Sequence, residues 1–155
     1  MKQKTLVILK PSCLMRGIVG EVTARFEKKG LRLAGMKMCQ LTDEQLNEHY
    51  HHLIDKPFFQ GLKESMMCTL VIVCCYEGDD AIAVVRLMTG STNGRIAAPG
   101  TIRGDFAMSN QMNIVHASDS PEAAEAELAR FFKPEEIFDY KQAAQDFIYS
   151  VDEDK

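Results

Sequence analysis

The nine residues Asn113-Ile114-Val115-His116-Ala117-Ser118-Asp119-Ser120-Pro121 carry the densest chemistry in this chain. A short β-branched run delivers one histidine, and a helix start follows at once. Ser120 can cap free amides, and Pro121 suits the first helical position, where its missing N–H would be unpaired anyway. The imidazole of His116 is therefore expected where a strand stops and the positive end of a helix begins, a place where phosphate groups settle. At pH 7 an unperturbed imidazole, with a pKa of ~6.5, is roughly three quarters neutral. It can attack phosphorus without a separate base. An ordinary buried or surface histidine is the plain alternative for this geometry taken alone.

Three cations stand beside apolar runs. Lys10 closes Thr5–Leu9, Arg86 interrupts Ala81–Met88, and Arg103 lies in Gly100-Thr101-Ile102-Arg103-Gly104-Asp105. Singly, each reads as a solvated side chain. Together, with Thr92 and Asn93 in the intervening loop, they read as a polyphosphate cradle. Arginine holds phosphate oxygens with a planar fork, and lysine adds a point charge. Neither GxxxxGK[ST] nor GxGxxG occurs, so side chains rather than a glycine-rich nest must hold the phosphates. On a helix begun at Ser120, Ala123, Ala124, Glu127, Leu128 and Phe131 share one side, and Glu122, Glu125 and Arg130 fall opposite. Glu127 thus borders the inward stripe, where a carboxylate could orient the His116 ring and fix its tautomer. The alternative is a solvated glutamate at the helix rim.

The elements that must position these groups are legible in outline. Thr5–Leu9 and Thr69–Tyr76 are compact apolar runs that predict buried strands, and Leu31–Leu41 alternates as a half-buried strand does. Gly20–Lys29 predicts an amphipathic helix with a cationic last turn and a glycine stop at Gly30. Thr42-Asp43-Glu44-Gln45 predicts a capped helix running through His52, and a further short helix follows Lys56-Pro57-Phe58-Phe59 towards Met67. Ala81–Met88 predicts a helix, Ile114-Val115 the last core strand and Pro121–Phe132 the last helix, followed by a partly apolar arm ending in Asp152-Glu153-Asp154-Lys155. Thr89 to Met112 shows no clean period, and a loop of that length is usually functional. The order is β-α-β-β-α-β with helical insertions. That predicts an α+β, ferredoxin-like fold: a four-stranded antiparallel sheet covered by helices on one face. A doubly wound parallel sheet is the competing arrangement.

Composition excludes several classes. The 155 residues are 46% hydrophobic, which predicts one domain over 1–155 with a sizeable core. The net charge of −4 gives no general attraction to nucleic acid or anionic membrane, so nucleic acid is not expected as the main partner. Only four consecutive apolar residues open the chain, too few for a signal peptide or a membrane span. The five cysteines, Cys13, Cys39, Cys68, Cys74 and Cys75, show no C-x-x-C spacing and read as buried thiols in a reducing compartment, the cytoplasm. His49, His51 and His52 lack acidic or cysteine partners at ligand spacing and read as solvated helix histidines. The nine methionines read as core filler.

Six segments, taken in order, resemble the nucleoside diphosphate kinase family from end to end. They are Thr5-Leu-Val-Ile-Leu-Lys-Pro11, Arg16-Gly-Ile-Val-Gly20, Glu48-His-Tyr50, Lys56-Pro-Phe-Phe59, Pro99-Gly-Thr-Ile-Arg-Gly-Asp-Phe106 and Asn113-Ile-Val-His-Ala-Ser-Asp-Ser120. The resemblance implies a ping-pong transfer of the γ-phosphoryl group from a nucleoside triphosphate to His116 and then to a nucleoside diphosphate. It implies Arg86, Thr92 and Arg103 as phosphate ligands, and Lys10 and Asn113 as sugar-hydroxyl contacts, with Lys10 also near the transferred phosphate. Phe58 is implied as the aromatic that stacks on the base, a contact tolerant of purine and pyrimidine alike. Tyr50, Glu127 and Ser118 are implied as support for the reacting histidine. Mg2+ is expected to ride on the nucleotide phosphates rather than in a protein cage, with Asp119 at most a water-mediated neighbour. A homotetramer or homohexamer is expected, with the loop containing Gly94 and the arm after Phe147 as contact candidates.

The chain departs from the family pattern in places. Ser12-Cys13 stands where Asp-Gly commonly follows Lys-Pro. Asn110-Gln111-Met112 replaces a common Val-Gly-Arg, so the second wall of the base clamp is expected to be amide rather than aliphatic. Gly94 replaces a loop proline, and Ala117 a common glycine. A non-catalytic nucleotide-sensing module and a nucleic-acid-binding protein are the rival readings; the first would need no nucleophile.

Overall fold

A computed structural model describes residues 1–153. Asp154 and Lys155, the end of the expected arm and of the 1–155 domain, lie outside the described residues. Strand β1 spans Lys2–Leu9, and its last five residues are all buried. Alternation explains this: Val7 and Leu9 enter one core while Leu6 and Ile8 enter another on the opposite face. Strand β3, Val71–Asp79, divides in the same way. Cys74 and Tyr76 join the first core, Val73 and Cys75 the second.

The sheet order is β2-β3-β1-β4, with β2 spanning Arg32–Cys39 and β4 spanning Val115–Ala117. Every ladder is antiparallel, as the ferredoxin-like reading requires and a doubly wound sheet forbids. Helices α2 (Val19–Lys29) and α5 (Ala81–Thr89) cover one face through Val22, Phe26 and Val85. Helices α3 (Asp43–His49), α4 (Phe59–Met67) and α7 (Pro121–Phe131) contribute Leu46, Met66 and Phe131 to the other. Both faces are therefore covered, which corrects the expectation of one. The inserted helices supply the second layer, and it explains why β1 and β3 read as continuous apolar runs rather than alternating ones.

Three local expectations shift. The strand ending at Lys10-Pro11 leads straight into α1, Pro11–Met15. The segment after Thr89 contains α6, Ile102–Phe106, whose cap is Thr101 accepting from the Gly104 N–H. The helix begun at Thr42 ends at His49 and gives way to a 3-10 turn at His51–Leu53. Its start is a reciprocal capping box: Thr42 Oγ1 accepts from Gln45 N at 3.1 Å and Gln45 Oε1 from Thr42 N at 3.0 Å.

Candidate active site

In β4, Val115 and Ala117 point into the first core, so His116 between them must point to the opposite face, beneath α3 and α7. Its Nε2 lies 3.1 Å from Glu127 Oε2, and Ser118 Oγ donates to the same oxygen at 2.7 Å. The Leu6 N–H donates to Ser118 Oγ at 3.2 Å, which anchors the trio to the central strand β1. Ser120 caps α7 by accepting from the Ala123 N–H at 3.1 Å, and that cap sets where Glu127 falls. Burial works to raise the Glu127 carboxyl, but the His116 contact and the Ser118 hydroxyl hold it below the usual range. An ionised carboxylate only accepts, so Nε2 of His116 donates and Nδ1 keeps the lone pair. Among the described residues no hydrogen bond reaches Nδ1, and the side chain is 20% exposed, open to a ligand.

The ring opens on a cavity of about 560 Å³, within the usual range for small-molecule sites. The residues singled out from the sequence line it except Ser118, fully buried behind Glu127, and Asn93, whose Oδ1 instead accepts from the Arg95 N–H at 3.2 Å. Lys10 is buried, its Nζ donating to Asn113 Oδ1 at 2.7 Å. Burial, and then the charge of Arg103, bring its ammonium down to about 7. Arg103 is also buried and gives Nε to Asn113 O at 3.3 Å, one terminal nitrogen to Gly90 O at 2.9 Å and the other to Val115 O at 2.7 Å. Burial, with Arg86 nearby, lowers its guanidinium to about 10, so it stays charged. Gly90 has φ 81, and a Cβ there would lie 2.4 Å from Thr101 Oγ1; only glycine lets the ends of α5 and α6 meet and turns this carbonyl to Arg103.

Arg86, Thr92 and Phe58 form the exposed rim of the cavity, Phe58 at 51%. Asn113 ties the rim to the floor, its Nδ2 donating to Thr92 O at 3.1 Å and Asn110 O at 3.0 Å. Asn110 and Gln111 line the wall as the amide substitution predicts. Gln111 is committed elsewhere, however, its Nε2 donating to Gly61 O at 2.9 Å. Cys13, in the departing Ser12-Cys13 pair, is enclosed in the first core, and burial pushes its thiol up to about 11. Cys74 and Cys75 are buried as expected, but Cys39 is half-buried and Cys68 exposed, because Cys68 falls after α4 has left the core. Tyr50 is buried with its phenol raised above the ordinary range by burial and then by Glu127.

Sequence reasoning missed two residues here. Ile114, expected in the last strand, has φ 75 although it is β-branched and fully buried. It is the centre of a tight turn in which Val115 N donates to Asn113 O at 2.9 Å, while its own carbonyl accepts from Lys10 N at 2.9 Å. Such a conformation costs about 1–3 kcal/mol. The turn aims Asn113 at Lys10 and His116 at the cavity. No periodicity signals a left-handed isoleucine. His49 is the second. Expected to be solvated, it is 6% exposed, its ring packed edge-to-face 4.5 Å from that of His116. His51 and His52 are exposed as expected.

One nitrogen or oxygen from each of His49, His116 and Glu127 lies within 4.8 Å of the others, a spacing that could suggest a metal site. The donors argue otherwise. His49 Nδ1 faces the Arg130 guanidinium at 3.0 Å, and a guanidinium can only donate. The lone pair of that ring is therefore spent on Arg130, and the trio is a hydrogen-bonded support.

The family profile described as "Nucleoside diphosphate kinase" matches residues 3–137. The chain belongs to the nucleoside diphosphate kinase family. A nucleoside diphosphate kinase of Parabacteroides distasonis is 66% identical over 151 residues, 97% of this chain and 99% of that one. One from Pyrococcus horikoshii is 49% identical over 148 residues, 94% of each chain. The solved structure of the Halobacterium salinarum nucleoside diphosphate kinase in complex with CDP has a TM-score of 0.93 at 38% identity, covering 96% of this chain and 99% of that one. This chain is accordingly a phosphotransferase acting between nucleoside triphosphates and nucleoside diphosphates.

Proposed function

We propose that the transfer runs through His116 in two half-reactions. In the first, His116 Nδ1 attacks the γ-phosphorus of a nucleoside triphosphate; an N–P bond forms, the bond to the bridging oxygen breaks, and the diphosphate leaves. In the second, the terminal phosphate oxygen of another diphosphate takes the group back from Nδ1. The observation that carries this reading is the Glu127–Nε2 contact, which keeps the opposite nitrogen unprotonated and aimed into the cavity. Glu127 also neutralises the positive charge that grows on the ring as Nδ1 bonds to phosphorus.

The transferring group is loose and its charge is spread over oxygen, so alignment and positive charge do most of the work. Arg103, Arg86 and Thr92 would hold the phosphates, Lys10 and Asn113 the sugar hydroxyls, and Lys10 the transferred group. Tyr50, packed beside the two histidines, would support the ring. Phe58 would stack on the base, with Leu62 beside it among the lining residues, and stacking reads the face of a base rather than its edge, which favours broad base tolerance. Mg2+ would arrive on the nucleotide phosphates and offset their charge. The exposed carboxylate of Asp119 on the cavity wall suits a contact through its water shell. The CDP held by the Halobacterium enzyme fits a nucleotide in this site.

Self-association as a tetramer or hexamer is supported by exposed apolar side chains on strand β2, Met36 and Met38, and around the Gly94 loop, Ile96 and Met108. Light scattering would separate the two. Among the described residues no helix is long and apolar enough to cross a membrane, which is compatible with a cytoplasmic enzyme. The primary test is brief incubation with labelled ATP. The protein should take up an acid-labile, alkali-stable phosphate that ADP removes, and His116→Ala should lose the label while still binding nucleotide. An unlabelled wild type would leave the site a nucleotide sensor; turnover by His116→Ala would mean another nucleophile.

A further inference from the structure

Helix α7 reaches the catalytic ring by a second route that the reaction chemistry alone does not explain. Three residues after Glu127 stands Arg130, which helical spacing puts on the outer side of α7; the structure turns its side chain inward instead, leaving it 12% exposed. One of its terminal nitrogens lies 3.0 Å from His49 Nδ1, while its Nε makes only an ion pair with Glu48 Oε1 at 3.2 Å, without hydrogen-bond geometry and with that carboxylate 66% exposed. The directional contact from α7 to the end of α3 is therefore the one to His49. Because guanidinium cannot accept, His49 must accept at Nδ1 and carry its proton on Nε2. That Nε2 is enclosed and has no partner among the described residues, an arrangement that costs about 1–3 kcal/mol in an ordinary core.

The fixed ring is boxed in by aromatics. It stands edge-to-face to His116 at 4.5 Å and 77°, to Tyr50 at 4.6 Å and 72°, and to Phe131 at 5.3 Å and 71°. The charged and titratable groups facing it are His116 from β4, Glu127 and Arg130 from α7, and His52 from the turn after α3. Burial, followed by His116, lowers the His49 pKa to about 3, so it remains an uncharged wall.

We propose that His49, clamped by Arg130, is a positioning residue for phosphoryl transfer, its ring preventing the His116 side chain from rotating away from Glu127. The nucleophile is then held from two sides: a hydrogen bond fixes Nε2, and a rigid neutral ring limits rotation of the imidazole plane. Both supports are tied to α7, Glu127 directly and the His49 ring of α3 through Arg130, so Nδ1 keeps its aim. The inference rests on the phosphohistidine reading and adds a residue pair to it.

Long-range proton–nitrogen spectra of the wild-type enzyme test the clamp directly. His49 should show its proton on Nε2 alone, unchanged from about pH 5.5 to 8.5, since an unperturbed histidine would titrate near ~6.5. A proton on Nδ1, or titration in that range, would overturn the proposal. Rapid-quench labelling tests the consequence. His49→Leu should slow phosphoenzyme formation roughly tenfold with less than about twofold change in nucleotide Kd, a loss confined to the transition state. Arg130→Leu should slow it about threefold, and Arg130→Lys should restore most of that rate. On a Glu127→Gln background the His49→Leu factor should differ from its value in wild type, because two supports of one ring are coupled. Additive factors, or losses in affinity alone, would assign His49 to packing only. A wild type that takes no label defeats the phosphohistidine reading itself. Normal labelling rates in every variant defeat only the clamp.

Discussion

The floor and the rim of the cavity hold their cations in opposite ways. On the floor, Lys10 and Arg103 are 7% and 4% exposed, and each donates to the protein itself: Lys10 to Asn113, Arg103 to three backbone carbonyls. At the rim, Arg86 and Thr92 are exposed, and their side chains make no hydrogen bond among the described residues. The floor is ordered by folding, so under the proposed function its charges would meet an incoming phosphate with little rearrangement. The rim would be ordered by the nucleotide, and that ordering would subtract from its contribution to binding. On that reading the same residue type would serve stability and catalysis in one place and binding alone in the other.

Exchanging one arginine for the other is the sharpest way to break this contrast. Arg103→Ala should lower kcat/KM by more than about a hundredfold. It should also destabilise the protein by on the order of 3 kcal/mol, since three carbonyls lose their donor; for a chain of this size that is ~6–12 °C in Tm. Arg86→Ala should lower kcat/KM about ten- to a hundredfold, a charge-assisted contact being worth ~1.5–3 kcal/mol, with Tm within about 1 °C of wild type. Equal thermal shifts in the two variants would erase the distinction between floor and rim.

Lys10 sharpens the contrast through protons. Its pKa in the folded protein, about 7, lies below the ordinary 10.5. Between those values the unfolded chain binds the extra proton, so this group makes stability rise with pH across that window. Bound phosphate favours the ammonium, so nucleotide binding at pH 8 should take up protons. Calorimetry in two buffers of different ionisation enthalpy would measure it, and Lys10→Met should remove the difference. An identical apparent enthalpy in both buffers for wild type would contradict a lysine held near neutrality. The smallest effect is expected at the rim: Phe58→Ala should raise KM by more than about twofold, base stacking being worth ~1–3 kcal/mol, and leave kcat and Tm nearly unchanged.

Much of the site was legible because its parts are local. The cap at Ser120 and the helical spacing from it put Glu127 on the inner stripe, and Glu127 does meet His116. Strand alternation put His116 on the face opposite Val115 and Ala117. His49 was misread because its neighbours are two histidine-rich positions that do face solvent, while its own contacts come from β4 and α7, at least 67 positions further along the chain. The helices on the second face were expected, but not the side they cover, for a related reason: the insertions between β2 and β3 give no local sign of which side of the sheet they will take.

The sequence by itself determined the succession of the main strands and helices, the caps at Thr42 and Ser120, and a candidate nucleophile with its candidate cations, because each follows from period, capping chemistry or a motif contained in a few neighbouring residues. Only the tertiary structure decided which cations are buried, which tautomer His49 adopts, and that Ile114 turns left-handed to join Asn113 to Lys10. Burial and hydrogen-bond direction depend on atoms supplied by distant segments, and no pattern along the chain encodes who those neighbours will be.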